Sequence, residues 1–179
     1  LKQHYSEIPF LPVRLFKMFD LYSVPEKDVV KTMTSSGTSG QTLSKIFLDK
    51  KTALNQSKAL IKIVSTYLGS QRSPMIIIDT QSVLKDRKMF SARGAGILGF
   101  SMFGTKRIFA LDNEMKLKVD DILSFIQRNK NKQILIFGFT FIIYQHFINQ
   151  IKKENLKIDL SNAVLIHGGG WKKLVNEKI

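Results

Sequence analysis

The segment Thr34-Ser35-Ser36-Gly37-Thr38-Ser39-Gly40 carries five hydroxyl groups and two glycines within seven residues. Glycine permits positive φ and close backbone approach, so N–H groups can converge on phosphate oxygens while Ser and Thr hydroxyls donate further hydrogen bonds. This composition predicts a loop that binds the phosphates of a nucleotide. The loop is not a Walker A motif, because its glycines are three residues apart and Gln41 follows Gly40.

A flexible Ser/Gly linker has a similar composition and is the alternative interpretation. Strand-like residues border the segment on both sides, however: Val29, Val30 and Met33 before it, and Leu43, Ile46, Phe47 and Leu48 after it. Two strand-like segments around a short glycine-containing loop favour a hairpin-like turn inside a domain over a tether between two domains.

A second glycine-rich motif, His167-Gly168-Gly169-Gly170-Trp171, follows a predicted strand from Ala163 to Ile166. Ligands of open α/β sheets bind at the carboxyl ends of the strands, where this motif lies. Three glycines allow the backbone to lie against a flat base. Trp171 either stacks on that base or wedges the loop in place, and the sequence does not distinguish the two roles.

The segment from Gly94 to Gly99 matches the GxGxxG pattern of dinucleotide-binding folds, with Asp112 as the candidate ribose ligand. The preceding residues Leu84 to Met89 are too charged for the buried strand that this fold requires. NAD binding is therefore disfavoured. Arg93 lies directly before the pattern and, taken alone, is an ordinary surface arginine.

Five blocks of the chain, in the same order, resemble the acyl-protein synthetase of the bacterial bioluminescence fatty-acid reductase system (LuxE-type), a branch of the adenylate-forming enzymes. The blocks are Ile8 to Val13, Thr34 to Gly40, Phe90 to Gly94, Phe137 to Thr140 and His167 to Lys173. The resemblance implies the fold: an α/β domain with a mostly parallel sheet flanked by helices, as a partial large N-terminal domain. We expect residues 1–179 to form a single incomplete domain of a longer protein.

The resemblance also implies the activity. A long-chain fatty acid is activated by ATP as acyl-AMP with Mg²⁺ and then transferred to a protein cysteine. Thr34, Ser35, Ser36, Gly37, Thr38, Ser39 and Gly40 are assigned to the ATP phosphates, His167, Gly168, Gly169, Gly170 and Trp171 to the adenylate, and Arg93 to a phosphate or carboxylate. Reductase and transferase subunits are the implied partners. A CoA-dependent acyl or aryl ligase of the same superfamily is the nearest alternative.

The composition limits these assignments. No cysteine occurs in the chain, so the acyl-accepting thiol and any thiolate metal site must lie outside it. The net charge of +14 attracts nucleotides and also leaves a basic nucleic-acid-binding domain as an alternative of another class. No nucleic-acid motif supports that alternative, and we expect no nucleic-acid partner. The longest apolar run, Ile134 to Tyr144, is too short to span a membrane, and without a signal peptide we expect a cytoplasmic protein.

Caps and glycines predict two helical segments in the first part of the chain. A short helical turn is expected near Arg14 to Met18, and a helix that Asp49 caps is expected to end at Gly69.

Strands and helices alternate along the chain, which predicts a mostly parallel sheet covered by helices. Periodicity predicts the elements that position the motifs. Buried strands are expected at Met75 to Ile78 and at Gln133 to Phe137, with Gly138 as the turn after the second. A helix is expected to begin at Asp120 with Ile122, Leu123, Phe125 and Ile126 facing inward. Thr140 is expected to cap a helix that is apolar nearly all round, which predicts core packing, while the family resemblance implies that the same residues line an acyl tunnel.

Overall fold

A computed structural model describes residues 4–7, 9–34, 42–84, 92–171 and 174. The chain divides into two units, Leu1–Lys62 and Ile63–Ile179. The boundary falls within helix α2 (Lys50–Leu68).

The first unit is built on a two-stranded antiparallel sheet of β1 (Val29–Thr34) and β2 (Lys45–Asp49). Thr34 pairs with Lys45, so the two strands approach each other on either side of the predicted phosphate loop, which confirms the hairpin. Helix α1 (Leu15–Met18) precedes the sheet, near the helical turn that the sequence predicts. Tyr22 stacks on Phe47 with ring centroids 4.2 Å apart. Short 3-10 turns lie at Tyr5–Glu7 and Glu26–Asp28.

Helix α2 has the capping residues expected from the sequence. The Asp49 carboxylate accepts a hydrogen bond of 2.8 Å from the Thr52 backbone N–H, which satisfies a donor of the first helical turn. Gly69 follows the last turn at φ +73°, in the left-handed conformation typical of a helix C-terminus. Within the helix Val64 and Leu68 are buried, whereas Leu54 and Ile61 are about half exposed.

The second unit contains a four-stranded parallel sheet with strand order β4-β3-β5-β6. The strands are β3 (Ser73–Thr80), β4 (Gly104–Leu111), β5 (Ile134–Phe139) and β6 (Ala163–Gly168). Because helices connect parallel strands and cover both faces of the sheet, the architecture is α/β, which confirms the predicted fold class.

One face of this sheet carries the main core. Strand residues Ile76, Ile78, Ile134 and Ile136 pack there with helix α4 (Val119–Arg128) and with the continuous helical segment after β5. That segment comprises α5 (Thr140–Ile142), a π-helical stretch (Ile143–Ile148) and α6 (Asn149–Lys153). In α4, Ile122 and Phe125 are buried as expected, but Leu123 is 40% exposed, so its predicted inward orientation was wrong.

The other face of the sheet carries helix α3 (Ala92–Phe100). Phe100 stacks on Phe137 of β5 at a centroid distance of 4.2 Å, and Phe137 meets Phe139 edge-on at 6.1 Å. Gly96 lies against this aromatic pair: a Cβ at this position would lie 3.1 Å from the Phe139 ring. The glycines of the GxGxxG pattern thus lie within a helix packed on the sheet, and not in a loop between a strand and a helix. This arrangement removes the structural basis for a dinucleotide phosphate loop.

Candidate functional site

Three neighbouring parallel strands bring the candidate residues to one edge of the sheet. In register, Ile78 of β3 pairs with Gly138 of β5, and Gly138 pairs with His167 of β6. Asp79, Phe139 and Gly168 are the next residues along these strands. Because all the strands run in the same direction, their carboxyl ends form the edge where ligands of α/β sheets bind.

Gly138 lies inside strand β5 and is not the turn that the sequence predicted. A Cβ at this position would lie 3.0 Å from both the Ile143 and the Ile78 side chains. The absence of a side chain therefore lets the helical segment after β5 approach the sheet closely. The strand continues one residue further, so Phe139 and not Gly138 marks its end.

The glycine turn begins within β6, because His167 and Gly168 are the last two residues of that strand. Gly169 has φ +82°, a conformation that glycine adopts without the steric cost borne by other residues. Added Cβ atoms would meet different surroundings at the two positions. At Gly169 the Cβ would lie 3.2 Å from the Phe139 ring, whereas at Gly168 no atom of the described residues lies within 4 Å. As far as the described residues are concerned, open space lies beside the backbone of Gly168.

The Thr140 side chain fixes this turn. Its Oγ1 lies 2.9 Å from the Gly169 carbonyl oxygen, 3.1 Å from the Gly168 carbonyl oxygen and 3.0 Å from His167 Nδ1. Thr140 was expected to cap the following helix. Instead Phe139 occupies the N-cap position, and no side-chain cap hydrogen bond forms there. The hydroxyl is directed to the turn on β6, 27 to 29 residues away in sequence.

Trp171 contacts Tyr144 of the π-helical stretch, with ring centroids 4.9 Å apart and an interplanar angle of 62°. This edge-to-face contact is a favourable geometry for aromatic rings and gives the indole a packing partner within the protein. Single-turn π-helical insertions are frequent at functional sites. Here the π-helical stretch (Ile143–Ile148) carries the aromatic ring that supports the end of the glycine turn.

Arg93 is held by a carboxylate at the end of the neighbouring strand. Its Nε donates to Asp79 Oδ2 at 3.0 Å, and its Nη2 donates to Asp79 Oδ1, so the pair is bidentate. Asp79 is 1% exposed and Arg93 is 31% exposed. Arg93 therefore has a structural partner, and its side chain is partly exposed; the phosphate or carboxylate contact expected from the resemblance stays a prediction.

The predicted phosphate loop is represented only by Thr34, the last residue of β1. Ser35, Ser36, Gly37, Thr38, Ser39 and Gly40 lie outside the described residues. Their role in binding ATP phosphates stays a prediction from the sequence.

A groove of about 780 Å³ lies beside helix α3, on its β4 side. Leu84, Leu98 and Phe109 supply apolar surface, and the buried Ile77 lies beneath it. Gln81 adds a polar group, and Arg107 and Lys118 supply positive charge. Lys118 is paired with Asp121 at 3.1 Å. In contrast, Ile142, Ile143 and Phe147 of the expected acyl tunnel are buried in the core on the opposite face of the sheet. Those residues pack as ordinary core, and the large groove lies elsewhere.

Within the described ranges, no group of three or more His, Asp or Glu side chains could hold a metal ion. No residue is assigned to the Mg²⁺ that the resemblance implies. The helices in this part of the chain also include none that is long and apolar enough to cross a membrane.

Sequence reasoning missed two residues of the site. Asp79 is the single acid at the end of an apolar run, and a lone buried carboxylate calls for a cationic partner, so this signal was present in the sequence. Thr140 gave no such signal, because its partners come from a distant strand. The sequence could not show which hydroxyl would meet the glycine turn.

A family model described as acyl-protein synthetase, LuxE, matches residues 2–179. No curated protein and no solved structure gives a match.

Proposed function

The chain belongs to the LuxE acyl-protein synthetase family, and on this premise we propose that it activates a long-chain fatty acid with ATP. In the first step a carboxylate oxygen attacks the α-phosphorus of ATP. The new P–O bond replaces the bond to the β-phosphate, so acyl-AMP forms and pyrophosphate leaves. A thiolate then attacks the acyl carbon and AMP leaves. Because the chain contains no cysteine, the thiol comes from outside these 179 residues.

The exposed glycine turn at the carboxyl end of a parallel sheet is the observation that carries this proposal. Open space beside Gly168 leaves room for a flat ligand, and the same edge of the sheet holds Arg93 in a fixed orientation. An aligned guanidinium favours an anionic oxygen without the cost of reorganising during the reaction. We assign the adenylate to His167–Gly170, where it lies within the same unit as Arg93.

The groove beside α3 suits the acyl chain. Its volume lies within the range of about 300–1,000 Å³ that is usual for ligand pockets, and the apolar part of its lining, formed by Leu84, Leu98 and Phe109, suits a hydrocarbon. Ile77 in the groove belongs to β3, and β6 is two strands away, which corresponds to about 10 Å across the sheet. This separation is shorter than an extended long-chain acid, so we assign the acyl chain to the groove and its carboxylate to the glycine turn.

The direct test is exchange of labelled pyrophosphate into ATP by the full-length protein, with and without fatty acid. Exchange that requires a long-chain acid is expected. The double substitution Ser36→Ala and Thr38→Ala should slow the exchange, since each lost charge-assisted donor costs about 1.5–3 kcal/mol. Leu98→Trp should shift the preference toward shorter acids by filling the groove. Leu123→Trp, on the opposite face and similarly exposed, is the matched control.

The same preparation separates the alternatives. Labelled acyl groups should appear on protein as a hydroxylamine-sensitive thioester; transfer to added CoA would identify a CoA ligase instead. Tight binding of duplex DNA at physiological salt without ATP binding would overturn the enzyme interpretation. In that case affinity would fall steeply with salt, as it does when several phosphates are contacted. Exchange that proceeds equally without fatty acid would contradict the proposed substrate.

A further inference from the structure

Three polar groups surround the Thr140 hydroxyl, and one of them is the ring of His167. Oγ1 has a single proton, and three acceptor or donor groups surround it at 2.9 to 3.1 Å. Two of them, the carbonyl oxygens of Gly168 and Gly169, can only accept. If the hydroxyl proton pointed to His167 Nδ1, both carbonyls would face a bare oxygen lone pair at hydrogen-bond distance.

The favourable arrangement directs the Thr140 proton to the glycine carbonyls and leaves an Oγ1 lone pair toward the imidazole. His167 Nδ1 must then carry a hydrogen and donate it to Oγ1. In the neutral ring the other nitrogen, Nε2, has no hydrogen and is an acceptor, because neutral imidazole bears one N–H only. The imidazole is exposed, so this acceptor is accessible to a ligand.

We propose that Thr140 is a positioning residue that holds His167 in the Nδ1–H tautomer, so that Nε2 accepts a hydrogen bond from a ligand at the glycine turn. The ligand part rests on the proposed function: the donor that fits is the exocyclic amino group of adenine, and bases without an amino group at this position are disfavoured. The same hydroxyl accepts a hydrogen bond from His167 and donates to the carbonyl oxygens of Gly168 and Gly169. One side chain therefore positions both the backbone that binds the base and the His167 Nε2 acceptor.

The tautomer is measured by long-range ¹⁵N–¹H correlation of histidine-labelled full-length protein at alkaline pH, where imidazole groups are neutral. The signal lost in His167→Asn identifies the residue. We expect Nδ1 protonated and Nε2 unprotonated in the wild type and in Thr140→Ser, which keeps the hydroxyl. In Thr140→Val, which has a similar shape without the hydroxyl, the population should move to the Nε2–H form. An unprotonated Nδ1 in the wild type, or no change in Thr140→Val, would overturn the inference.

Ligand discrimination is measured by titration with ATP and with purine riboside triphosphate, which lacks only the 6-amino group. One net hydrogen bond predicts about tenfold tighter binding of ATP by the wild type and Thr140→Ser. Thr140→Val and His167→Phe, which has no acceptor, should bind the two nucleotides equally. Equal binding by the wild type would overturn the adenine assignment while the tautomer result stood. Failure of the wild type to bind either nucleotide would refute the proposed function, which the NMR measurement does not depend on.

Discussion

Strand β3 is buried along its whole length and ends in an ion-paired carboxylate, whereas β6 is half exposed and ends in an imidazole and a glycine turn. Both strands border β5 and finish at the same edge of the sheet. At the end of β3 the polar groups of Asp79 and Arg93 largely satisfy each other. At the end of β6 the hydrogen bonds of Thr140 fix the backbone, while His167, Gly169 and Gly170 stay exposed.

The end of β3 therefore contributes mainly to stability, and the end of β6 mainly to ligand binding, although both lie at the same edge of the sheet. A buried carboxylate without its cation is costly, because its charge is desolvated and unpaired. An exposed turn bears no such cost, and water can hydrate it when no ligand is present. We therefore expect substitutions at β3 to act mainly on folding, and those at β6 mainly on ligand affinity.

The largest effect is expected for the β3 end. Arg93→Ala leaves Asp79 buried without its cation and should cost about 3 kcal/mol of unfolding free energy. Urea-induced unfolding of the full-length protein measures this loss. Asp121→Ala, which breaks the exposed pair with Lys118, is the matched control and should leave the unfolding midpoint nearly unchanged. Equal stability of Arg93→Ala and the wild type would show that the Asp79–Arg93 pair contributes no more to stability than the exposed Lys118–Asp121 pair.

An intermediate effect is expected within the glycine turn itself. Gly169→Ala imposes φ +82° on a residue with a Cβ and crowds Phe139, so it should lower stability by about 1–2 kcal/mol. Gly168→Ala adds a methyl group into open space and should leave thermal unfolding unchanged while weakening ATP binding. Thermal melts and ATP titrations of both variants test this. Unchanged ATP affinity in Gly168→Ala would mean that the nucleotide does not use that space.

The smallest effect is expected at the other end of β6. Asp159 is an exposed carboxylate that accepts a 2.9 Å hydrogen bond from the Ser161 backbone N–H. This bond, with one from the Ser161 hydroxyl, lowers the pKa of Asp159 below its ordinary value of 3.8. Because the folded pKa is the lower one, the carboxylate stabilises the fold fully above about pH 4, and the contribution disappears as the pH falls through the folded pKa.

Asp159→Asn should therefore be slightly less stable than the wild type at neutral pH, with the difference shrinking below pH 3.8. Acid titration of the unfolding midpoint measures the difference. A gap that widened on acidification would contradict the sign. A loss as large as that of Arg93→Ala would contradict the contrast between buried and exposed carboxyl groups.

The sequence by itself determined the α/β class, the hairpin around the hydroxyl-rich loop, the buried strand before Asp79 and the end of α2 at Gly69. These features depend on local patterns: period, apolar runs, caps and glycine conformations act between residues close in the chain. The strand at Ala163 was predicted for the same reason, although it extends two residues further, to Gly168. Local patterns predict that a helix or strand is present, but the residue at which it ends depends on the residues that pack beside it.

Only the tertiary structure decided the partners across the sheet. The sequence predicted Gly138 as a turn, because glycine often ends an apolar strand. In the structure it lies inside β5, and the side chains of Ile143 and Ile78 occupy the space where its side chain would be. The sequence predicted Thr140 as a helix cap, because hydroxyl side chains are favoured at helix N-termini. In the structure, the pairing of β5 with β6 brings the carbonyl oxygens of Gly168 and Gly169 within hydrogen-bond distance of its hydroxyl. These contacts depend on strand order and register, which bring Thr140 next to residues nearly thirty positions away. The spacing of residues within either segment does not indicate such a contact.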